Sequence, residues 1–266
     1  MDESWKNWVK ENLARGCKPP EIKDILLKNN FTLPVIKKAM GDKFPEDAAQ
    51  DARHVDYEAL ANIKITKTAK LVDTDLLQLY TLESFLSEQE CNKLVDLINR
   101  HLRPSTISIE SNDKYFRTSS TCDMALIENP MVQAIDRKIA DTIGINVAYS
   151  EKIQAQKYAV GQEFKAHTDY FEPHTEEYKT FASETGNRTW TFMVYLNDTI
   201  KGGGTQFVNL GKTFYPKKGM AVIWNNLSPE GMPNYDTLHW GLPVEQGEKV
   251  IITKWFREKG TGEMFC

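Results

Sequence analysis

Two residue types that bind metals lie close together in the stretch EFKAHTDYFEPH, residues 163–174. His167 and Asp169 are two positions apart, so on a β-strand their side chains would leave the same face. An imidazole and a carboxylate on one strand form half of a site for a divalent cation. His174 follows Pro173 and opens a polar stretch, so we interpret it as part of a mobile lid rather than as a ligand.

A second imidazole is available from His239, in the segment DTLHWGLPV that follows the loop SPEGMPNYD. We expect this loop to return the chain to the mouth of a barrel, where His239 would join His167 and Asp169. Two imidazoles and one carboxylate on one face of an octahedron hold iron(II) and leave three positions open. Zinc accepts the same donors, so a zinc hydrolase is the alternative at this point.

A lysine in an apolar strand favours the iron interpretation. Lys249 lies ten positions after His239, within GEKVIITKWF. A lysine that points into a barrel is costly unless it meets an anion. In an iron site with open positions, that anion would be the far carboxylate of a chelating 2-oxo diacid, whereas a zinc hydrolase leaves Lys249 unexplained. Lys254 has the opposite alternation parity and is predicted to face outward into solvent.

The region that must position these residues is rich in short strands. Beyond Ser150 the chain alternates between β-branched or aromatic runs and Gly, Pro, Asn and Asp turns, which predicts a jelly roll or barrel of antiparallel sheets. Upstream, Ser87 and Glu90 form a capping box that opens one helix. A second helix is predicted over NPMVQAIDRKIADTIG. The predicted fold class is therefore α+β, with a jelly-roll core and flanking helices.

The first part of the chain is predicted to be a separate helical segment. Ser4 and Thr32 are candidate N-caps, and Gly16 and Gly41 are candidate helix stops. The charged, weakly periodic stretch that follows is interpreted as a linker. The predicted organisation is a helical segment over 1–50, a linker over 51–72 and the main domain over 73–266.

Composition excludes some function classes. The 266 residues carry a formal net charge of −4, with a pI of about 5.8, which gives no reason to expect a nucleic-acid partner. No apolar run approaches the ~20 residues of a membrane helix, and the N-terminus has no apolar core of the kind found in secretion signals. The four scattered cysteines are interpreted as free thiols. We therefore expect a cytoplasmic protein, without a membrane partner.

Several runs of the sequence together resemble a known family. The chain is similar, from about residue 73 to 259, to the prolyl 4-hydroxylase branch of the iron(II)- and 2-oxoglutarate-dependent dioxygenases. The similarity lies in KYAVGQEFKAHTDYF, NRTWTFMVYLND, GGGTQF, KKGMAVIWNNL and LHWGLPVEQGEKVIITKWF, and upstream in FLSEQEC and FRTSST. This resemblance implies a double-stranded β-helix, the jelly roll of that family.

The resemblance also implies roles for individual residues. His167, Asp169 and His239 match the iron ligands. Lys249 matches the lysine that pairs with the distal carboxylate of 2-oxoglutarate, and Tyr158 matches a tyrosine beside this cosubstrate.

Other positions have weaker matches. Arg117 and Arg188 match polar positions near the substrate groove or in the barrel wall, or are ordinary salt-bridged arginines. Trp224 and Trp255 line the pocket or belong to the core. Trp240 replaces a small residue of many relatives, and its bulk is expected to narrow the substrate entrance. The GGG at 202–204 is interpreted as a tight turn between strands.

The implied activity is hydroxylation of proline in a peptide or protein, with iron(II), 2-oxoglutarate and dioxygen as cofactors and ascorbate in support. Alternatives are the same chemistry on a free amino acid or another residue, and a catalytically silent jelly roll that serves as a binding module. A third hypothesis gives the main function to the N-terminal helices, as a recruiter of partners. The sequence does not predict the oligomeric state.

Overall fold

Strands dominate the second half of the chain, as predicted. The structure, a computed structural model, describes residues 1–29, 31–45, 55–105, 116–124, 127–173 and 175–266. Its strands are β1 (Lys70–Leu71), β2 (Leu79–Leu82), β3 (Arg103–Pro104), β4 (Ser120–Asp123), β5 (Gln154–Tyr158), β6 (Phe164–His167), β7 (Arg188–Tyr195), β8 (Lys201–Gly202), β9 (Thr205–Phe207), β10 (Lys212–Phe214), β11 (Ala221–Asn225), β12 (His239–Gly241), β13 (Val244–Gln246) and β14 (Lys249–Arg257). Its helices are α1 (Glu3–Ala14), α2 (Pro19–Lys28), α3 (Leu33–Met40), α4 (Tyr57–Ala61), α5 (Glu88–Asn99), α6 (Pro130–Ile143) and α7 (Glu176–Phe181).

Two antiparallel sheets form the core. The larger has the strand order β1-β2-β11-β7-β14-β5-β4-β3, and the smaller has the order β10-β9-β12-β6. A hydrophobic cluster between them joins residues of the larger sheet, such as Tyr195 and Trp224, to Phe207 of the smaller. A third pair, β13 with β8, lies at the GGG segment, where Gly202 and Gly203 have positive φ. The jelly roll is therefore confirmed, together with the α+β class.

The outer face of the larger sheet is covered by helices α5 and α6. Ile252 and Phe256 of β14 join Leu94 of α5 and Ile139 of α6 in a second cluster. The prediction that Lys254 faces solvent is wrong, because this covered face buries it completely. Strand alternation indicates which face a side chain leaves by, but not whether another element covers that face.

The buried Lys254 is paired. Its Nζ lies 2.6 Å from Asp136 Oδ1 on α6 and 2.9 Å from the carbonyl oxygen of Glu151. These contacts offset the cost of removing the ammonium group from water.

The predicted helix starts are partly correct. The capping box of α5 is present, since the Ser87 hydroxyl accepts from Glu90 N and the Glu90 carboxylate accepts from Ser87 N. Helix α1 begins earlier than expected, because Asp2 rather than Ser4 accepts from Trp5 N. Thr32 occupies the N-cap position of α3, but its hydroxyl donates to the carbonyl oxygen of Glu230 instead of capping its own helix.

The N-terminal helices α1 to α3 share a hydrophobic cluster of their own, which includes Val9, Leu26 and Ile36. The segment interpreted as a linker contains α4 and β1. Leu60 of α4 packs into the hydrophobic cluster on the outer face of the larger sheet. The proposed domain boundaries stay predictions. None of the helices in the described part of the chain combines the length and the apolar character that a membrane crossing needs.

Candidate metal centre

The two predicted histidine ligands lie directly opposite each other on neighbouring strands. His167, the last residue of β6, pairs in antiparallel register with His239, the first residue of β12, and their ring centroids are 4.3 Å apart. Asp169 was expected on the same strand, but it lies two residues beyond the end of β6. One donor atom from each of the three residues lies within 4.8 Å of the others. The structure therefore brings the predicted ligand set together.

Backbone carbonyl groups orient both imidazoles. His167 Nδ1 lies 2.7 Å from the carbonyl oxygen of Lys165, and His239 Nδ1 lies 2.9 Å from that of Thr237. A carbonyl oxygen only accepts, so each Nδ1 carries a hydrogen, and in the neutral tautomer Nε2 is the nitrogen that can bind a metal. Burial, with His239 close by, lowers the pKa of His167 to about 3, which keeps its imidazole neutral and able to bind a cation.

The carboxylate ligand is held by a short chain of hydrogen bonds. The Thr191 hydroxyl donates to Asp169 Oδ2 at 2.7 Å, and Asn226 Nδ2 donates to Thr191 Oγ1 at 2.9 Å. Arg188 Nη1 donates to the Asp169 carbonyl oxygen at 3.3 Å. Burial raises the pKa of Asp169, but the two imidazoles, Arg188 and the Thr191 hydroxyl outweigh it, so the pKa is lowered overall. One carboxylate oxygen is thereby fixed, and Oδ1 remains available to a metal.

Thr191 and Asn226 were missed by the sequence analysis. Both are fully buried, and a threonine in a strand or an asparagine after one carries no motif that marks a functional residue. Asn226 also begins the loop that leads to His239. A hydrogen bond closes this loop, because the Asn226 carbonyl oxygen accepts from Asn234 N. The Thr191–Asn226 pair therefore links the segments that carry two of the three ligands.

Lys249 brings a buried amine into the same cavity. It is 1% exposed and lines the cavity with the three donors. Its Nζ lies 3.5 Å from Thr205 Oγ1 and 5.0 Å from the ring centroid of Tyr158, which pairs with it across β14 and β5. Among the described residues no carboxylate forms an ion pair with it, and burial lowers its pKa to about 7. This geometry suits an anionic ligand deep in the cavity.

The two predicted arginines have different positions. Arg117 lines the cavity, 4.8 Å above the Phe164 ring. Arg188 lies in the wall, where Nε and Nη2 contact the two carboxylate oxygens of Glu151 at 2.6 and 2.8 Å and the guanidinium stacks on Trp255 at 4.0 Å. Arg188 is thus a salt-bridged arginine that also contacts the backbone of a ligand, Asp169.

The remaining predicted residues divide in the same way. Trp240 leaves β12 on the face opposite to His239 and donates its indole N–H to Glu163 at 2.8 Å, so it is not brought to the cavity. Trp224 and Trp255 do line the cavity, and their indole N–H groups have no partner among the described residues. His174 lies outside the described residues.

The donor set fits iron(II). Two imidazoles and one carboxylate converge from neighbouring segments and leave the cavity side open, which is the arrangement of non-haem iron(II) oxygenases. The cavity also holds the buried Lys249 amine, which has no carboxylate partner among the described residues and which a carboxylate cosubstrate would stabilise in its charged form. A zinc hydrolase would leave that ammonium group unexplained.

Comparison with known proteins agrees with this chemistry. Residues 153–257 match the family model of the 2OG-Fe(II) oxygenase superfamily. The prolyl 4-hydroxylase subunit alpha-1 of Bos taurus is 34% identical over 180 residues, which cover 66% of this chain and 33% of the relative. The probable prolyl 4-hydroxylase 4 of Arabidopsis thaliana is 32% identical over 201 residues, covering 66% of each. The chain therefore spans about a third of the animal subunit and about two thirds of the plant relative.

A crystal structure gives the same result. The viral collagen prolyl hydroxylase of Paramecium Bursaria Chlorella virus-1, in its 2OG complex, is 26% identical with a TM-score of 0.52, and the match covers 67% of this chain and 95% of the viral one. The region that matches the family model, residues 153–257, contains the predicted ligands and Lys249. The chain belongs to the 2OG-Fe(II) oxygenase superfamily, on its prolyl 4-hydroxylase-like branch.

Proposed function

We propose that the protein hydroxylates proline in a peptide or protein, using iron(II), 2-oxoglutarate and dioxygen. The observation that carries this proposal is that one cavity contains both a set of metal donors and a lysine amine without a carboxylate partner among the described residues. His167, Asp169 and His239 present three metal donors on one side, and Lys249 presents an ammonium group without a counterion among the described residues on another. A metal and an anionic chelator together satisfy both.

Each residue then has a defined task. His167, Asp169 and His239 would hold iron(II), and Lys249 with the Thr205 hydroxyl would hold the distal carboxylate of 2-oxoglutarate. When bound, iron and 2-oxoglutarate supply the activation of dioxygen that inserts one oxygen atom into a C–H bond, with release of succinate and carbon dioxide. The protein fixes the positions of the donors and keeps bulk water out of the cavity.

The inner face of the larger sheet next to the cavity supports a peptide substrate. Thr121 of β4 pairs with Gln156 of β5, and Gln154 lies two residues further along. Arg117 approaches Ser119 and Thr121, with donor–acceptor distances of 3.3 and 3.4 Å. Of these groups, the Arg117 guanidinium and the Gln156 amide line the cavity, and such groups suit the hydrogen-bonding groups of a peptide backbone better than they suit an apolar small molecule. The prolyl 4-hydroxylases among its relatives support the same substrate class.

Mass spectrometry of a peptide product tests the proposal. Purified protein with iron(II), ascorbate and 2-oxoglutarate is incubated in air with a pool of proline-containing peptides. We expect a gain of one oxygen atom, located on proline by fragmentation and absent with His167→Ala. A gain on another residue, or on a free amino acid alone, would reject the substrate and keep the chemistry. No gain on any substrate, from folded and iron-loaded protein, would favour the silent binding module.

The cytoplasmic location and the absence of nucleic-acid and membrane partners stay predictions from composition. Fractionation of cells that produce the full-length protein tests the location.

A further inference from the structure

A second cleft lies beside the metal centre, between the N-terminal helices and the jelly roll. It has a volume of about 540 Å³ and lies between the α2–α3 region on one side and the segments around Pro173, Pro233 and Lys259 on the other. Three aromatic rings line it, those of Phe31, Tyr57 and Tyr178. None of the three metal ligands borders it, so the cleft is separate from the metal cavity.

Part of the lining of the cleft is hydrogen-bonded to the segment that follows Asp169. The Tyr57 hydroxyl donates to Glu258 Oε1 at 2.7 Å, and Asn187 N donates to Glu258 Oε2 at 2.7 Å. The Asn187 side chain in turn accepts from Phe171 N at 2.8 Å and donates to the Phe171 carbonyl oxygen at 2.9 Å. Phe171 is two residues beyond Asp169, so the cleft and the metal centre share one fixed segment.

The two sites are also close enough for one extended chain to reach both. Pro173, which lines the cleft, follows Asp169 by four residues, and four residues span at most about 14 Å when extended. A peptide with one residue in the metal cavity would therefore reach the cleft within a few residues on one side.

The lining of the cleft selects for a particular chemistry. Aromatic rings and prolines form the kind of surface on which extended proline-rich segments dock, because such segments are already ordered and lose little entropy on binding. The lining carries two carboxylates and two lysine ammonium groups. Asp24 pairs with Lys23 at 3.5 Å and Glu258 accepts from Tyr57 and Asn187, whereas Lys28 and Lys259 form no ion pair with any carboxylate in the described ranges. An acidic side chain beside the prolines would complement them.

We propose that this cleft binds the part of the substrate that flanks the hydroxylated residue, an extended segment with prolines and an acidic residue. This inference rests on the proposed function. It gives the N-terminal helices a role in substrate selection, since α2 and α3 supply one wall.

The test compares peptides of different length on full-length protein loaded with iron(II) and 2-oxoglutarate without oxygen, so that binding is measured without turnover. A short labelled peptide has a central proline and minimal flanks. Two longer peptides add a proline- and aspartate-containing extension, one on each side. Fluorescence anisotropy gives the Kd of each peptide for the wild type, for Lys28→Glu/Lys259→Glu and for a control, Lys10→Glu/Lys38→Glu, whose exposed lysines do not line the cleft.

We expect one extension to tighten binding to the wild type and the control. In Lys28→Glu/Lys259→Glu, the Kd of the extended peptide should be about fivefold higher than in the wild type, which is the effect of losing two partly exposed ion pairs. The Kd of the short peptide should not change. An equal gain in all three proteins, or no gain from either extension, would overturn the inference. A cleft-dependent gain without hydroxylation of any peptide in air would keep the cleft and reject the proposed function, so the two failures are distinguishable.

Discussion

Raising the pH should weaken the binding of 2-oxoglutarate through a single side chain. Lys249 is buried without a carboxylate partner in the described part of the chain, and burial lowers its pKa to about 7. Only the protonated amine attracts the distal carboxylate. Above pH 7 most of the Lys249 amine is neutral, so binding of the cosubstrate must be accompanied by the uptake of a proton by Lys249.

The size of the effect follows from that pKa of about 7. The charged fraction of Lys249 is about a half at pH 7, about a tenth at pH 8 and about a hundredth at pH 9. Since the apparent affinity scales with the competent fraction, Kd should rise about tenfold per pH unit above pH 7. Below pH 7 the amine is mostly charged, so Kd should change little. Both carboxyl groups of 2-oxoglutarate stay ionised throughout this range.

Isothermal titration calorimetry under nitrogen measures this dependence. The iron-loaded protein is titrated with 2-oxoglutarate in buffers of different ionisation enthalpy, so that proton uptake is obtained together with Kd. At pH 8 we expect nearly one proton taken up per cosubstrate. The matched variant is Lys249→Arg, whose guanidinium remains charged over the whole range and should give a flat profile.

A Kd of the wild type that stays constant from about pH 6 to about pH 9, without proton uptake, would show that the charge of Lys249 does not control the binding of 2-oxoglutarate. A slope that is identical in Lys249→Arg would assign the titration to a different group. The imidazole of His167 does not interfere, because its pKa is lowered to about 3.

Three further results are expected. Thr191→Val removes the hydroxyl that holds Asp169 and should lower iron(II) affinity by roughly 10–100-fold, while Thr191→Ser should keep the wild-type affinity. Competition with a metal indicator measures these affinities, and equal values for Thr191→Val and the wild type would contradict the expectation. Lys254→Met leaves the Asp136 carboxylate without its buried partner and should lower the free energy of unfolding by about 3 kcal/mol. A loss below about 0.5 kcal/mol in urea denaturation would mean that the pair does not contribute to stability. Trp240→Phe removes one hydrogen bond and should lower the free energy of unfolding by about 1 kcal/mol without changing the KM for a peptide substrate; a changed KM for the peptide would place Trp240 at the substrate entrance.

The chemistry of the centre was predictable because it depends on few residues with defined types and order. His167, Asp169, His239 and Lys249 each have a side chain that is costly to bury without a ligand. Their spacing along short strands indicates that they converge in a barrel. The structure confirms this convergence and the jelly roll that produces it.

What the sequence did not predict depends on contacts between distant elements. The hydrogen bond from Asn226 to Thr191 joins residues 35 positions apart, and neither residue type is unusual in its place. The burial of Lys254 depends on α6, which covers the outer face of β14. The opposite orientation of Trp240 followed from strand alternation, but the resemblance to relatives with a small residue there directed attention to its size instead of its direction.

Succinate production shows directly whether the protein is a 2-oxoglutarate-dependent hydroxylase. Purified protein is supplied with iron(II), ascorbate, oxygen and 2-oxoglutarate, with and without proline-containing peptides, beside His167→Ala and Lys249→Ala. We expect peptides to stimulate succinate formation by the wild type and both variants to lose it. Wild-type protein that folds and binds iron but forms no succinate under any of these conditions would show that the protein is not such an enzyme.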